Sequence, residues 1–390
     1  MIVAAMTTAL GLLLVGVITQ LFGYRLGGTI GIPMLAVYTL KNVFMLPIFI
    51  VSTIIAYAGL YLAKHRTLIY GRDELLVAMG IGSGVPLVIF VVLGEYLPRP
   101  LRFVLFIGSI LPGLAAFNYH QLKPEYRKWD LITAILLFSG LFGLGWLLID
   151  PRFTSTLSTL TPPALYAETA DVAVWKNAAV PTELEPIILT RPRAVALFLV
   201  GFLITERVRD RYGLRIGLIS VALLAIYALS SKWLLVLYAV TLALGFVFLW
   251  TIHHVTLLYG RVLISITTAF TLLVALPLVA LLPITRGLSA YFVVILAGIN
   301  AYNWHTAPNS KRKLFVPIQF GTFTLLLVLA RSTGRILPRG IPQEFGLLQI
   351  GLGALVVAVC LGVVEYYTVD QPSRERVFEA SILSGGSGDD

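Results

Sequence analysis

Two short polar strings occur twice in this chain, and each recurs at fixed spacing. Tyr70-Gly71-Arg72 is matched in the second half by Tyr259-Gly260-Arg261, with His65 and His254 five positions ahead of each Tyr. Asn118-Tyr119-His120 is matched there by Asn303-Trp304-His305. Four of the five histidines fall at these matched positions, and only His253 does not. An arginine fork binds carboxylates through two hydrogen bonds, and an imidazole titrates near neutral pH. Together these residue types suit a carboxylate ligand at the arginines and a wet vestibule or proton-linked site at the histidines. The plainer alternative is an interfacial Tyr, a snorkelling Arg, and histidines that cap helix ends. A further charged string, Glu206-Arg207 with Arg209-Asp210-Arg211, has no charged counterpart in the first half, where Gln20-Leu21 stands. Exposed charge pairing is its duller reading.

Several chemistries find no support. There is no phosphate-binding Gly-x-x-x-x-Gly-Lys-Ser/Thr loop, no Rossmann glycine fingerprint and no Gly-x-Ser-x-Gly elbow, so no nucleotide or acyl chemistry is assigned and no catalytic residue is named. Energy is expected to come from a partner or a gradient. No cofactor is expected, and no metal, since no carboxylate completes a zinc spacing around the histidines and the single cysteine, Cys360, lies in an apolar run. Buried carboxylates are expected to be nearly absent from the apolar runs, which counts against a typical proton-coupled or sodium-coupled transporter.

The elements that must position these strings are membrane helices. The chain is 58% hydrophobic and 12% charged, too little polar surface for a soluble globule of 390 residues. Runs such as 44–63, 75–93, 131–148 and 345–364 approach the ~20 residues that cross a hydrocarbon layer. The run 2–22 reads as a retained helix rather than a signal peptide. Runs at 28–40 and 103–118 are short, so they are tilted, re-entrant, or longer than hydropathy shows. The fold class expected is all-α, a polytopic integral membrane protein of about 12–13 transmembrane or re-entrant helices in two parallel-oriented tandem repeats. The repeats are set at 1–149 and 193–331. Between them runs an extracytoplasmic linker, 150–192, and after them a loop with an extra transmembrane helix, 332–368, and a polar cytoplasmic tail, 369–390. The net charge of +10 is read as the cytoplasmic excess of Lys and Arg, not as nucleic-acid binding. Of the 29 basic residues, 17 fall on the side of the paired motifs and tail, which predicts that side to be cytoplasmic in a multi-pass plasma-membrane protein.

Each half resembles the small membrane subunit of poly-γ-glutamate capsule synthesis, the PgsC/CapC family. The resemblance rests on Thr205-Glu206-Arg207 ahead of a short Gly-containing apolar run, on Leu68-Ile69-Tyr70-Gly71-Arg72 and Leu257-Leu258-Tyr259-Gly260-Arg261, and on Leu111-Pro112-Gly113-Leu114-Ala115. It covers about residues 5–149 and 193–331. The first half lacks Thr-Glu-Arg, and the second has Ala297 where the first has Pro112. The resemblance implies a non-catalytic or co-catalytic subunit of a complex that polymerises glutamate and exports the polyanion. The implied partners are a Mur-ligase-like ATP-dependent ligase, other capsule-synthesis membrane proteins, the anionic polymer and the lipid bilayer. Polymer or partner binding is then expected at Tyr70, Gly71, Arg72, Tyr259, Gly260, Arg261, His65, His254, Asn118, His120, Asn303, His305, Glu206 and Arg207. The alternatives are a self-contained secondary transporter for a small anion or amino acid, and a structural membrane anchor.

Overall fold

A computed structural model describes residues 1–93, 111–181, 189, 191–214, 216–217, 220–256, 258–333, 342 and 344–369. Residues 103–110 of the expected apolar run 103–118, and the tail beyond 369, lie outside the described residues. Among the described residues the regular structure is helical: α1 (Ile2–Phe22), α2 (Gly31–Lys41), α3 (Met45–Arg66), α4 (Arg72–Leu93), α5 (Leu111–His120), α6 (Pro124–Leu148), α7 (Pro151–Leu160), α8 (Asp171–Trp175), α9 (Arg191–Tyr212), α10 (Ser220–Ala228), α11 (Lys232–Val255), α12 (Gly260–Leu281), α13 (Gly287–His305), α14 (Arg312–Ser332) and α15 (Leu347–Val369). Seven of them, α1, α3, α6, α11, α12, α14 and α15, are long and apolar enough to cross a membrane. The fold is all-α and polytopic. The outward faces of α3 and α6 expose Ile50, Ile54, Leu131 and Leu136, side chains that lipid rather than water would solvate.

The chain forms two compact units that cut across the sequence order, one of 1–187 with 231–302, the other of 188–230 with 303–390. In the first unit α1 packs along α12, α2 lies between α1 and α6, and α3, α4 and α5 pack on one another. All eleven residues of α2 are buried, so it is an inner helix, apolar all round, and at about 16 Å it is too short to cross alone. An irregular segment, 23–30, completes its path. In the second unit α14 packs against α9, α10 and α15. There Glu365 accepts hydrogen bonds from Arg211 Nη2 (2.7 Å) and from the Tyr212 hydroxyl (2.9 Å).

One end of the first unit is closed by residues 150–181, the described part of the linker, which fold as a cap. Asp150 caps α7 by accepting from the Arg152 amide (3.0 Å), with Pro151 at the first helical position. The buried Tyr166 donates its hydroxyl to the Leu148 carbonyl at the end of α6 (2.6 Å). Lys41, at the end of α2, donates to the Ala164 carbonyl (3.1 Å) and to Thr169 Oγ1 (2.6 Å). Asp171 accepts from the Val43 amide (3.0 Å), and Thr161 from the Ile2 amide (3.1 Å). The paired motifs of this unit lie at the opposite end, where α1, α3, α5 and α11 finish and α4, α6 and α12 start.

Candidate anion-binding site

The α3–α4 and α11–α12 connections are built alike. Thr67 and Thr256 end their helices in extended conformation, each hydroxyl donating to the carbonyl four positions back at 2.7 Å. Gly71 (φ 63°) and Gly260 (φ 62°) then adopt the left-handed region that a side chain disfavours, and the chain reverses into the next helix. This reversal splits the Tyr-Gly-Arg string into two faces. Tyr70 and Tyr259 are 82% and 81% exposed at the tips, whereas Arg261 turns inward. His65 and His254 stay exposed in the last turns of α3 and α11, packed on Tyr61 and Trp250, and His254 Nδ1 donates to the Trp250 carbonyl (2.8 Å).

Arg261 Nη2 donates to the buried Asn118 Oδ1 at 2.7 Å, and Asn118 Nδ2 donates to the Leu114 carbonyl at 2.8 Å. The Tyr-Gly-Arg string of the second half thus meets the Asn-aromatic-His string of the first. Arg261 Nη1 is also buried and has no protein partner. Asp130, six positions into α6 and so about 9 Å along its axis, lies beside this pair. Its Oδ1 accepts the Arg25 and Leu26 amides at 2.6 and 2.9 Å. Those bonds hold segment 23–30 in place with Leu26 fully buried at φ 48°, a strained value for a branched residue that its surroundings must enforce. The charges that act on Arg261 are Arg25, repulsively, and Asp130, attractively. The three sum to one positive charge, held mostly away from water.

A second polar cluster lies along α5. Glu74, 1% exposed, accepts from Lys64 Nζ (3.1 Å) and Gln121 Nε2 (2.8 Å), and His120 Nδ1 lies 3.6 Å from it. Arg127 ties off the same helix end, donating to the carbonyls of His120 (3.3 Å) and Leu122 (3.2 Å). In the second unit Arg312 does the same for His305 (2.8 Å) and Ala307 (3.4 Å). Glu74 and Asp130 are buried carboxylates that stand just ahead of the apolar runs 75–93 and 131–148. Each sits at the edge of a run, where hydropathy hides a single acid.

Of the other expected site residues, Arg72 begins α4, and its side chain lies outside the described residues. Asn303 and His305 fall in the second unit. So do Glu206, which lies 3.9 Å from Arg209, and the exposed Arg207. Sequence reasoning missed Glu74, Gln121 and Asp130 and counted Arg25, Lys64 and Arg127 only as loop charge. The signal for Arg127 was present: Arg312 is its counterpart in the register that sets Asn118 on Asn303 and His120 on His305.

Residues 10–127 match the family model for capsule biosynthesis CapC. Over that stretch, under a third of its length, the chain is similar to CapC proteins. No curated protein and no solved structure matches it. The CapC segment contains the 23–30 segment, the α3–α4 reversal, Asn118, His120 and Arg127, while Asp130 and Arg261 lie beyond it. The match supports a role in capsule synthesis within a complex of several proteins, and the seven apolar helices make the chain a membrane protein.

His120 closes α5, outside the seven membrane-length helices. Burial, then the Lys64 charge, holds its pKa below the ordinary 6.5, with Arg127 adding to this and Glu74 opposing it. The unfolded chain therefore takes up this proton more readily than the folded one. Stability present above 6.5 is lost as the pH falls below it. Thermal unfolding followed from about pH 7.5 to about 5.5 should show Tm falling toward acid, and more shallowly in H120Q. Parallel slopes would remove His120 as the source.

Proposed function

We propose that this chain is the membrane subunit of a complex that makes and exports poly-γ-glutamate, a capsule-type anionic polymer. It lies multi-pass in the plasma membrane, docks a Mur-ligase-like ATP-dependent ligase at the motif end, and guides the polymer outward. The observation that carries this reading is the half-buried Arg261, with a buried free donor and net positive charge, held on Asn118 of the CapC-like segment. A polyanion needs such fixed positive charge along its path. The excess of basic residues at the motif end supports a cytoplasmic position for it and an external one for the linker cap.

The chain is further read as two tandem CapC-like copies, 1–149 and 193–331, with the loop, last helix and tail added. Support comes from matched details that keep the register of the repeated strings: the Thr67 and Thr256 helix ends, the Gly71 and Gly260 reversals, and the Arg127 and Arg312 ties. The Phe44 and Trp233 amides likewise bond to Asn42 Oδ1 (3.0 Å) and Ser231 Oγ (3.3 Å), and Asn42 falls on Ser231 in the register that sets Tyr70 on Tyr259.

Affinity purification of the tagged chain from native membranes in mild detergent, with mass spectrometry of what accompanies it, tests the assembly. Recovery of an ATP-dependent ligase is expected. Recovery of the chain alone would instead favour a self-contained transporter of a small anion or amino acid. That second reading draws on the break between α1 and α2 and on the buried Glu74 and Asp130, features that transporters place at ligand sites.

A further inference from the structure

We propose that Arg25 and Asp130 form an internal neutral brace and that Arg261 is the working charge of the site, binding a single carboxylate group through its free Nη1. This deepens the polymer-guiding reading and rests on it for the natural source of that carboxylate. Three observations carry it.

Asp130 spends one oxygen on the Arg25 and Leu26 amides, so its first task is to hold the segment 23–30 around the buried Leu26. Its carboxylate makes no ion pair with the side chain of either Arg25 or Arg261, and it meets Arg25 through the backbone amide, whereas the Arg261 guanidinium bonds to the neutral Asn118. A guanidinium with one nitrogen on an amide oxygen and the other buried and unbonded is under-satisfied. In a poorly hydrated site that deficit is best met by an anion with a planar acceptor edge.

The third observation is a paired exchange between the halves. In the register that sets Tyr70 on Tyr259, Arg25 corresponds to Leu214, and in the register that sets Asn118 on Asn303, Asp130 corresponds to Phe315. Both replacements are buried and apolar, and Phe315 stacks on Trp304 at 6.0 Å between centroids. Cation and anion are lost together, while Arg72 and Arg261, Asn118 and Asn303 are kept. Each half therefore carries one uncompensated arginine among these positions.

The test is a charge cycle on the purified full chain in nanodiscs, read as the sodium glutarate concentration that gives the half-maximal rise in Tm at constant ionic strength. R261Q should abolish the rise. R25Q should weaken glutarate about tenfold, D130N should strengthen it by a similar factor, and the double variant should return to within about threefold of the parent. D130N keeps an acceptor for the two amides, and R25K, expected to bind as the parent does, covers the case in which R25Q misfolds. Equal affinity in the parent and D130N, persistence in R261Q, or an equal rise with sodium chloride would each overturn the proposal. Such a failure with a ligase still co-purifying would remove this assignment alone; loss of the ligase with the cycle intact would remove the polymer reading and leave the carboxylate site.

Discussion

R261A is expected to lower cell-surface anionic polymer more than about tenfold while the protein still accumulates in the membrane, because one charge in a poorly hydrated site is worth more than an order of magnitude in affinity. The change removes the donor on Asn118 Oδ1 and leaves that buried oxygen unpaired, a stability cost of about 1–3 kcal/mol. A larger consequence is electrostatic. With Arg261 gone, Arg25 and Asp130 cancel and the site loses its net charge. R261K restores the charge but not the fork, so it cannot hold Asn118 and a carboxylate in one plane, and intermediate polymer is expected. Y259A, two positions away, removes a ring that is 81% exposed and should leave polymer near the parental level. Polymer released from whole cells and normalised to membrane-fraction protein decides the matter. Undiminished polymer in R261A and R72A is the result a structural anchor demands, and it would end the guiding role for these arginines.

The contrast between Arg261 and Tyr259 also shows what could be read from sequence. Apolar runs were sufficient for an all-α membrane fold and marked a short run at 28–40, because hydropathy is a local property. They did not show that α2 is an inner helix, which depends on its neighbours. Sequence could not show that the Tyr and the Arg of one string face opposite ways, since that follows from the angle at which α11 turns into α12. Nor could it show that Arg261 reaches Asn118, far earlier in the chain, because that contact depends on α12 packing against α1 and on where α5 ends. Asp130 escaped notice for a different reason. One carboxylate at the head of an apolar run looks like an interfacial residue until two backbone amides are found turned toward it. The cap that residues 150–181 form depends on Tyr166, Lys41 and Asp171, single side chains whose partners are distant in sequence.

The position of Asn118 depends in turn on a glycine crossing, which makes G113A the substitution expected to cost the most stability. A Cβ on Gly113 would point at backbone of α4, at the Ala78 carbonyl and, 2.6 Å away, at Met79 Cα. Gly82 faces it from the other side, where a Cβ would come within 2.6 Å of Gly113 Cα. Backbone cannot step aside as a flexible side chain can, so α4 and α5 must separate, at a cost of about 3 kcal/mol for overpacking. Gly80 and Gly84 on α4 have nothing within 4 Å of an added Cβ, so G80A and G84A should be neutral or stabilise by up to about 1 kcal/mol through helix propensity. Thermal unfolding of the three variants in one detergent makes the comparison. Because α5 carries Asn118 and His120 five and seven positions past the crossing, the same shift would draw Asn118 off Arg261, and G113A should lose polymer in step with R261A. Gly298 in α13, whose Cβ would lie 2.9 Å from Thr268 Cα, stands at the matching place, and this accounts for a glycine in both Leu-x-Gly strings. If G113A unfolds at the parental temperature, α4 and α5 do not cross this closely, and the placement of Asn118 opposite Arg261 loses its structural basis.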